Sequence, residues 1–374
     1  MKTSIQIGKI MDIPIKLHIT FLLILPVFAW IFANNDPRFG FNDVGLTTFR
    51  YALSLFASIS LFVCVLLHEL GHSYVAKKAG VNIQGITLFL FGGVSSMEEI
   101  PRNPRTELKM ALAGPLVSLV IGFILIIGVL MVNGAAVGEF LSAFVQNLMI
   151  GIKDPYIRLF WVIGIINVIL FFFNILPAFP MDGGRVLRAW LAGRMPYIQA
   201  TRTAASIGKM FAIVMGIFGI FVSIWLLLIA FFIYIGASEE EKSTEVSVIL
   251  EGLKIKDIMT RDVATVRSGN TVEELVDIMF RMKHMGYPVM DDSEVLGVVT
   301  FTDVQRVPKE ERKNVKVSQI MTKELITTKE DDEAVAALKL MTTKNIGRII
   351  VKKEGKMTGI VSRTDILRAI QLLE

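Results

Sequence analysis

Two of the chain's four histidines, His68 and His72, stand four residues apart in Leu67-His68-Glu69-Leu70-Gly71-His72. On a helix, positions i and i+4 share one face, so both imidazoles could reach a single metal ion. Glu69 sits beside the first histidine, where a carboxylate can take a proton from an attacking water. The chemistry this suggests is metal-assisted hydrolysis. The alternative is a polar patch at a membrane interface. Against it stands cost: the segment closes a long apolar run, where ionisable groups are expensive unless paired or bound to an ion.

Catalytic zinc usually keeps three protein ligands and one open position. His18 begins an apolar run and His284 lies in polar sequence, so a third histidine is not at hand. A carboxylate is the remaining choice. Asp182 is the strongest candidate, as the only acidic residue between Tyr156 and Glu239. It lies in Asn174-Ile-Leu-Pro177-Ala-Phe-Pro180-Met-Asp182-Gly183-Gly184-Arg185. Two prolines and two glycines break a helix there and could aim an Asp inward, towards a cavity that tolerates irregular backbone. Taken alone, the same segment could be a membrane-exit turn with an Asp cap.

These groups need apolar helices to carry them, and the composition supplies them. The chain is 53% hydrophobic and only 20% charged, with a mean hydropathy of +0.58, too apolar for an ordinary soluble protein of 374 residues. Apolar runs of spanning length fall at His18–Ala33, Tyr51–Leu67, Met110–Val132 and Ile157–Leu176. Ala204–Ile235 has room for two short spans, with Gly216 and Gly219 as the place to turn. About six spans are therefore expected. Lys2, Lys9 and Lys16 precede the first run, which reads as a retained span rather than a cleaved signal.

Lys77, Lys78, Arg102 and Arg105 follow the second run, and Arg185, Arg188, Arg194 and Arg202 follow the fourth. Positive-inside logic then puts the N-terminus, both basic loops and the C-terminus in the cytoplasm of a multi-pass cell-membrane protein. The net charge of +5 is too scattered to suggest nucleic acid as a partner, and a single cysteine, Cys64, excludes an intrachain disulfide or a Cys-based metal site.

The HExxH on a membrane helix, the later NxxPxxPxDGGR, and the Gly92-Gly93 and Ala113-Gly114-Pro115 segments resemble the site-2 protease family of intramembrane metalloproteases. The resemblance covers roughly Ser4 to Glu240. It implies one zinc per chain held by His68, His72 and Asp182, with Glu69 as catalytic base. It also implies that Asn174 positions substrate or stabilises the tetrahedral intermediate. The substrate would be a membrane-embedded protein, cut in regulated intramembrane proteolysis. Gly85-Ile-Thr-Leu-Phe-Leu-Phe-Gly-Gly93 is rich in β-formers and reads as a strand or re-entrant hairpin whose edge could pair with an unwound substrate, or as an interfacial element with no such role.

From Glu239 onward the sequence is of soluble type and contains a repeat. Lys256-Asp-Ile-Met-Thr260 recurs as Ser318-Gln-Ile-Met-Thr322, and Leu296–Asp303 recurs as Thr358–Asp365, both 62 positions apart. Each unit reads as a short strand, an amphipathic helix, two strands and a final helix. The pattern resembles a tandem pair of CBS domains, an α/β module. The expected division is a transmembrane protease domain over 1–238, a linker over 239–252, and CBS units over 253–310 and 311–374.

That second resemblance implies an adenine nucleotide (ATP, ADP or AMP) as regulator. Asp303 would contact the ribose and Thr300 and Thr302 the phosphates in one site, with Asp365, Ser362, Arg363 and Thr364 in the other. Thr265 and Thr327 would line the adenine pockets. The same Thr and Asp residues could instead only cap the final helices, and CBS pairs also serve as homodimer surfaces. A second function class remains open on sequence: a nucleotide-gated metal transporter or channel using the His/His/Asp cluster for transit. Glu69 separates the two, because a transit site needs no base.

Overall fold

The computed structural model describes residues 4–89, 92–97, 102–134, 136–292 and 294–373. The chain divides into two units, Met1–Lys242 and Ser243–Glu374.

The first unit opens with a hairpin, β1 (Ser4–Ile10) and β2 (Ile13–His18). Met11 and Asp12 turn it with φ of 55° and 64°, both positive as a two-residue hairpin loop requires. Helices α1 (Ile19–Asn34) and α2 (Thr47–Lys78) follow, then a second hairpin of β3 (Ile83–Phe89) and β4 (Gly92–Met97). The remainder is helical: α3 (Pro104–Val132), α4 (Phe140–Ile150), α5 (Pro155–Asn174), α6 (Asp182–Ala192), α7 (Tyr197–Val222) and α8 (Ile224–Ile249).

All six expected apolar segments become helical. Among the described residues, α2, α3, α5 and α7 are long and apolar enough to cross a membrane, while α1 is shorter. Asn103 and Asp154 cap α3 and α5 by accepting backbone N–H bonds, each followed by a proline in the first turn. The reversal expected at Gly216 or Gly219 falls instead at Ser223, whose extended backbone interrupts the helix. The glycines serve close packing: a Cβ on Gly219 would lie 2.7 Å from the Leu227 nitrogen of α8.

The core of the bundle joins Leu53, Ala57, Leu61 and Cys64 of α2 to Ile126, Val129 and Leu130 of α3 and Trp161, Val162 and Ile165 of α5. Small residues let α3 and α5 approach, since a Cβ on Gly122 would meet Val168 at 2.7 Å. Phe221, Val222 and Trp225 lie exposed, an apolar surface of the kind a bilayer covers.

The two hairpins form one sheet of order β1-β2-β3-β4. β2 pairs parallel with β3, and the other pairs are antiparallel. Ile13, Ile15 and Ile86 bury one face of it against Leu70 of α2. β4 is a terminal strand of this sheet, so one of its sides is unpaired among the described residues.

The second unit contains α9 (Ile255–Ile258), α10 (Val272–Met282), β5 (Gly286–Asp291), β6 (Glu294–Thr300) and α11 (Phe301–Gln305). The pattern then repeats as α12 (Val317–Ile320), β7 (Thr327–Thr328), α13 (Ala334–Thr343), β8 (Arg348–Lys353), β9 (Lys356–Ser362) and α14 (Arg363–Leu373), except that the short strand expected in each unit is reduced in the first to the single bridge Val266–Val289. The repeats exchange their openings. Leu250, Ile255 and Met259 are buried with Ile349, Val361 and Ile366 of the second repeat, whereas Val317 is buried with Val272, Leu275 and Val299 of the first. Backbone bridges Thr260–Ile360 and Val298–Thr322 fix the exchange. Neither repeat closes its core alone, which is why they occur in tandem.

Candidate functional site

His68 and His72 lie on one face of α2, and α2 continues past them to Lys78. Asp182 is the first residue of α6, following a loop from Ile175 to Met181 that includes the Pro177 and Pro180 breaks. The structure brings the three together. His68 Nε2 and His72 Nε2 are 3.1 Å apart, and Asp182 Oδ2 is 3.3 and 3.1 Å from them.

Protons cannot account for this cluster in the neutral state of both rings. His72 Nδ1 lies 2.7 Å from the Met110 carbonyl, which only accepts, so the ring must donate there, and in the neutral ring Nε2 carries a lone pair. That lone pair faces the Asp182 carboxylate and the other histidine. His68 Nδ1 is held by Ser118 Oγ at 2.9 Å. Outer partners on Nδ1 and converging Nε2 atoms are what a metal ligand set looks like. Four tetrahedral ligands about 2.0–2.1 Å from zinc stand about 3.4 Å from one another, close to the separations seen. A cradle is also present: a Cβ on Gly114 of α3 would sit 2.2 Å from His72 Nε2 and 2.6 Å from His68 Nε2. The residues therefore fit a zinc ion. Among the described residues, His68, His72 and Asp182 form the one such group of potential ligands.

Glu69 is half-buried on α2. A Cβ on Gly93 of β4 would lie 2.5 Å from Glu69 Cγ, so the strand passes directly against the carboxylate side chain. Ser95 Oγ and Ser73 Oγ, 2.7 Å apart, tie β4 to α2. Asn174 ends α5 and donates its amide to the Leu170 carbonyl at 2.9 Å; among the described residues no hydrogen bond joins it to the histidine–aspartate cluster. Leu90 and Phe91, in the segment read as a substrate-pairing hairpin, lie outside the described residues.

In the second unit the two repeats show the same local device. Thr300 Oγ1 donates to Asp303 Oδ2 at 2.7 Å, and Ser362 Oγ to Asp365 Oδ2 at 2.7 Å. Both pairs sit at the start of a helix, α11 and α14, in the capping role. Thr265, Thr302, Thr327 and Thr364 are exposed. Arg363 donates to the Met341 carbonyl at 2.9 Å, which directs it to the end of α13. Arg348, the repeat partner of Gly286, was not anticipated. It donates to the Gly286 carbonyl, and burial pushes its pKa below the usual guanidinium value.

Comparison with known proteins adds the following. The model of peptidase family M50 matches residues 56–215, and the CBS domain model matches 255–310 and 317–372. A zinc metalloprotease of Methanocaldococcus jannaschii is 39% identical, over 100% of this chain and 98% of its own length. A solved site-2 protease from M. jannaschii shares 40% identity, covering 64% of this chain and 95% of that one, with a TM-score of 0.42. Inosine-5′-monophosphate dehydrogenase of M. jannaschii is 36% identical over 31% of this chain and 23% of its own.

Proposed function

The chain belongs to peptidase family M50, the site-2 proteases, and from that premise we propose that His68, His72 and Asp182 hold its zinc while Glu69 moves the proton. It is a multi-pass membrane zinc metalloprotease with a C-terminal CBS pair. The observation that carries the ligand assignment is the convergence of His68 Nε2, His72 Nε2 and Asp182 Oδ2 within 3.1–3.3 Å of one another, with each ring held at Nδ1 from α3.

When bound, zinc supplies Lewis acidity and a water of lowered pKa. Glu69 takes the proton of the attacking water and returns it to the leaving amine. Ser118 and the Met110 carbonyl keep the two rings oriented. Asn174 acts on the substrate side of the scissile bond once its back-bond to Leu170 is exchanged. The substrate is a transmembrane protein, cut in regulated intramembrane proteolysis. Its helix must unwind before a peptide bond can be reached, and the free side of β4, running past Glu69, offers an extended segment its hydrogen bonds.

The CBS pair binds an adenine nucleotide through Asp303 and Asp365 and their hydroxyl partners, and the bound state modulates cleavage. The pair also joins two chains as a homodimer. The basic residues that follow the second and fourth spans support a cytoplasmic N-terminus and CBS unit.

The deciding experiment measures zinc per chain and cleavage of a membrane-embedded substrate in wild type, Glu69→Gln and Asp182→Ala. About one zinc in the first two, little in the third, and cleavage only in wild type is expected. A Glu69→Gln protein that still cleaves at the wild-type rate sinks the assignment of the base. A zinc-replete Asp182→Ala protein sinks that of the ligand.

A further inference from the structure

Arg188 lies on α6, six residues beyond Asp182. Its side chain is only 5% exposed, and the zinc chemistry leaves it unassigned. The guanidinium is gripped from several sides. Nε and Nη2 reach Glu107 Oε1 at 2.7 and 2.6 Å, on the first turn of α3. Nη1 reaches Glu240 Oε1 of α8 at 2.7 Å. The rings of Phe179 and Tyr197 stand 5.1 and 5.2 Å from Cζ, within cation–π range. Ion pairs buried this deeply contribute little net stability, because desolvation offsets the attraction. Their geometry is the better explanation for their presence.

Helix α8 supplies the second half of the argument. Ile233 is buried with Ala178 and Met181, and Ala237 with Phe179, all from the loop that delivers Asp182. A Cβ on Gly236 would strike the Pro180 ring at 2.6 Å. One turn further, Glu240 takes Arg188, and Glu241 takes Lys209 of α7 at 2.5 Å. The helix then continues without interruption to Ile249. Val246, Ile249 and Leu250 belong to the hydrophobic core of the CBS pair. One helix thus holds the Asp182 loop at one stretch and is rooted in the CBS core at its end.

We propose that Arg188 is the positioning residue that sets Asp182 against the two histidines, and that Glu240 makes this setting answer to α8. The inference rests on Asp182 being a zinc ligand. Through Glu107, Arg188 anchors α6 to α3, the helix whose Gly114 abuts both histidine rings. Through Glu240 it ties α6 to the helix leading into the CBS core. A shift or rotation of α8 either draws α6 with it or breaks the Glu240 bond. In both cases the Asp182 carboxylate moves relative to α2, and zinc affinity changes.

The test uses the full-length protein and measures zinc affinity by competition with a graded chelator, beside thermal unfolding of the metal-free protein. Partners that orient metal ligands typically contribute about 10–100-fold in affinity. Arg188→Gln is expected to weaken zinc by that factor, with partial recovery in Arg188→Lys. Glu240→Gln, at a side chain 31% exposed, is expected to weaken it about 10-fold without lowering the unfolding midpoint. Glu241→Gln, whose partner is on α7, should match wild type. Wild-type affinity in Glu240→Gln overturns the link to α8, and this variant decides alone if Arg188→Gln does not fold. Asp182→Asn separates the two layers. If it keeps wild-type affinity, the ligand assignment fails and the inference with it. If it loses zinc while both the Arg188 and Glu240 variants retain it, the ligand stands and the positioning role is wrong.

Discussion

Gly114→Ala adds one methyl group at the place proposed for the metal. The new Cβ would lie 2.2 Å from His72 Nε2 and 2.6 Å from His68 Nε2, well inside the 3.0 Å that real Cβ contacts respect. It would also stand at about the 2.0–2.1 Å distance at which zinc bonds a histidine nitrogen. Relief requires a ring to swing off its Nδ1 partner or α3 to withdraw, taking Met110 and Ser118 with it. Either movement removes more than an outer partner does, so a loss of at least about 100-fold in zinc affinity is expected, or about 2.8 kcal/mol. The metal-free fold should lose stability as well, because the same clash has to be relieved without zinc and alanine's helix preference of about 0.5–1 kcal/mol offsets it only in part. Gly128→Ala on the same helix is the control, since its Cβ would meet nothing within 4 Å. The assay is zinc per chain and chelator competition on the two variants and wild type, purified side by side. A Gly114→Ala protein with one zinc at wild-type affinity would refute the placement of the ion between these rings.

Three other outcomes follow from the geometry. Val94→Pro removes a backbone donor from β4, the terminal strand beside Glu69, and should lower cleavage about 10-fold or more while leaving zinc per chain unchanged; loss of both together would mean that the strand merely supports the fold. Asp365→Ala removes the carboxylate that accepts the Ser362 N–H and Oγ–H at the start of α14 and should cost about 1 kcal/mol in thermal stability; if wild type binds AMP or ATP in calorimetry, the variant should also bind more weakly, and a stability loss with unchanged nucleotide affinity would leave the capping box as its whole role. Asp43, in the loop before α2, is hydrogen-bonded by the buried Arg158 guanidinium, which holds its carboxyl below the usual value of 3.8. A lowered folded-state pKa contributes stability above the ordinary value and loses it as the pH falls. Asp43→Asn should therefore lower stability by about 1 kcal/mol at pH 7, its partly exposed side chain limiting the effect, and the gap should close on acidification below 3.8. A gap that persists at low pH would assign the effect to shape rather than charge.

The legible parts of the site are those fixed by short-range geometry. His68 and His72 meet because a helix turn puts them on one face, and Asp182 stands out because prolines and glycines isolate the only acid in a long apolar stretch. The β-rich segment before Gly93 could be read as strand or hairpin from its residue types. Its partnership with the N-terminal hairpin could not, because Met11-Asp12 is not a turn pair that announces positive φ. The exchange of opening turns in the CBS pair was likewise hidden, since sequence repetition says which segments are alike and not which pack together. Gly114, Ser118, Arg188 and Glu107 were beyond reach for the same reason: their roles arise where helices far apart in the chain cross.

That contrast separates the two sides of the zinc site. The histidine side is built on one helix, with both rings held from α3 by Ser118 and the Met110 carbonyl, and offers little freedom. Asp182 reaches the same point from a broken loop whose position depends on α7 and α8, through Gly208 against Ala178 and Gly236 against Pro180. A signal acting on the metal site has far more to move on the aspartate side. Since α8 continues into the CBS core, any change that the proposed nucleotide binding produced there would reach this side first. On the proposed ligand set, the ligand most open to such a change would be the one supplied by the loop, with the histidine pair as its fixed reference.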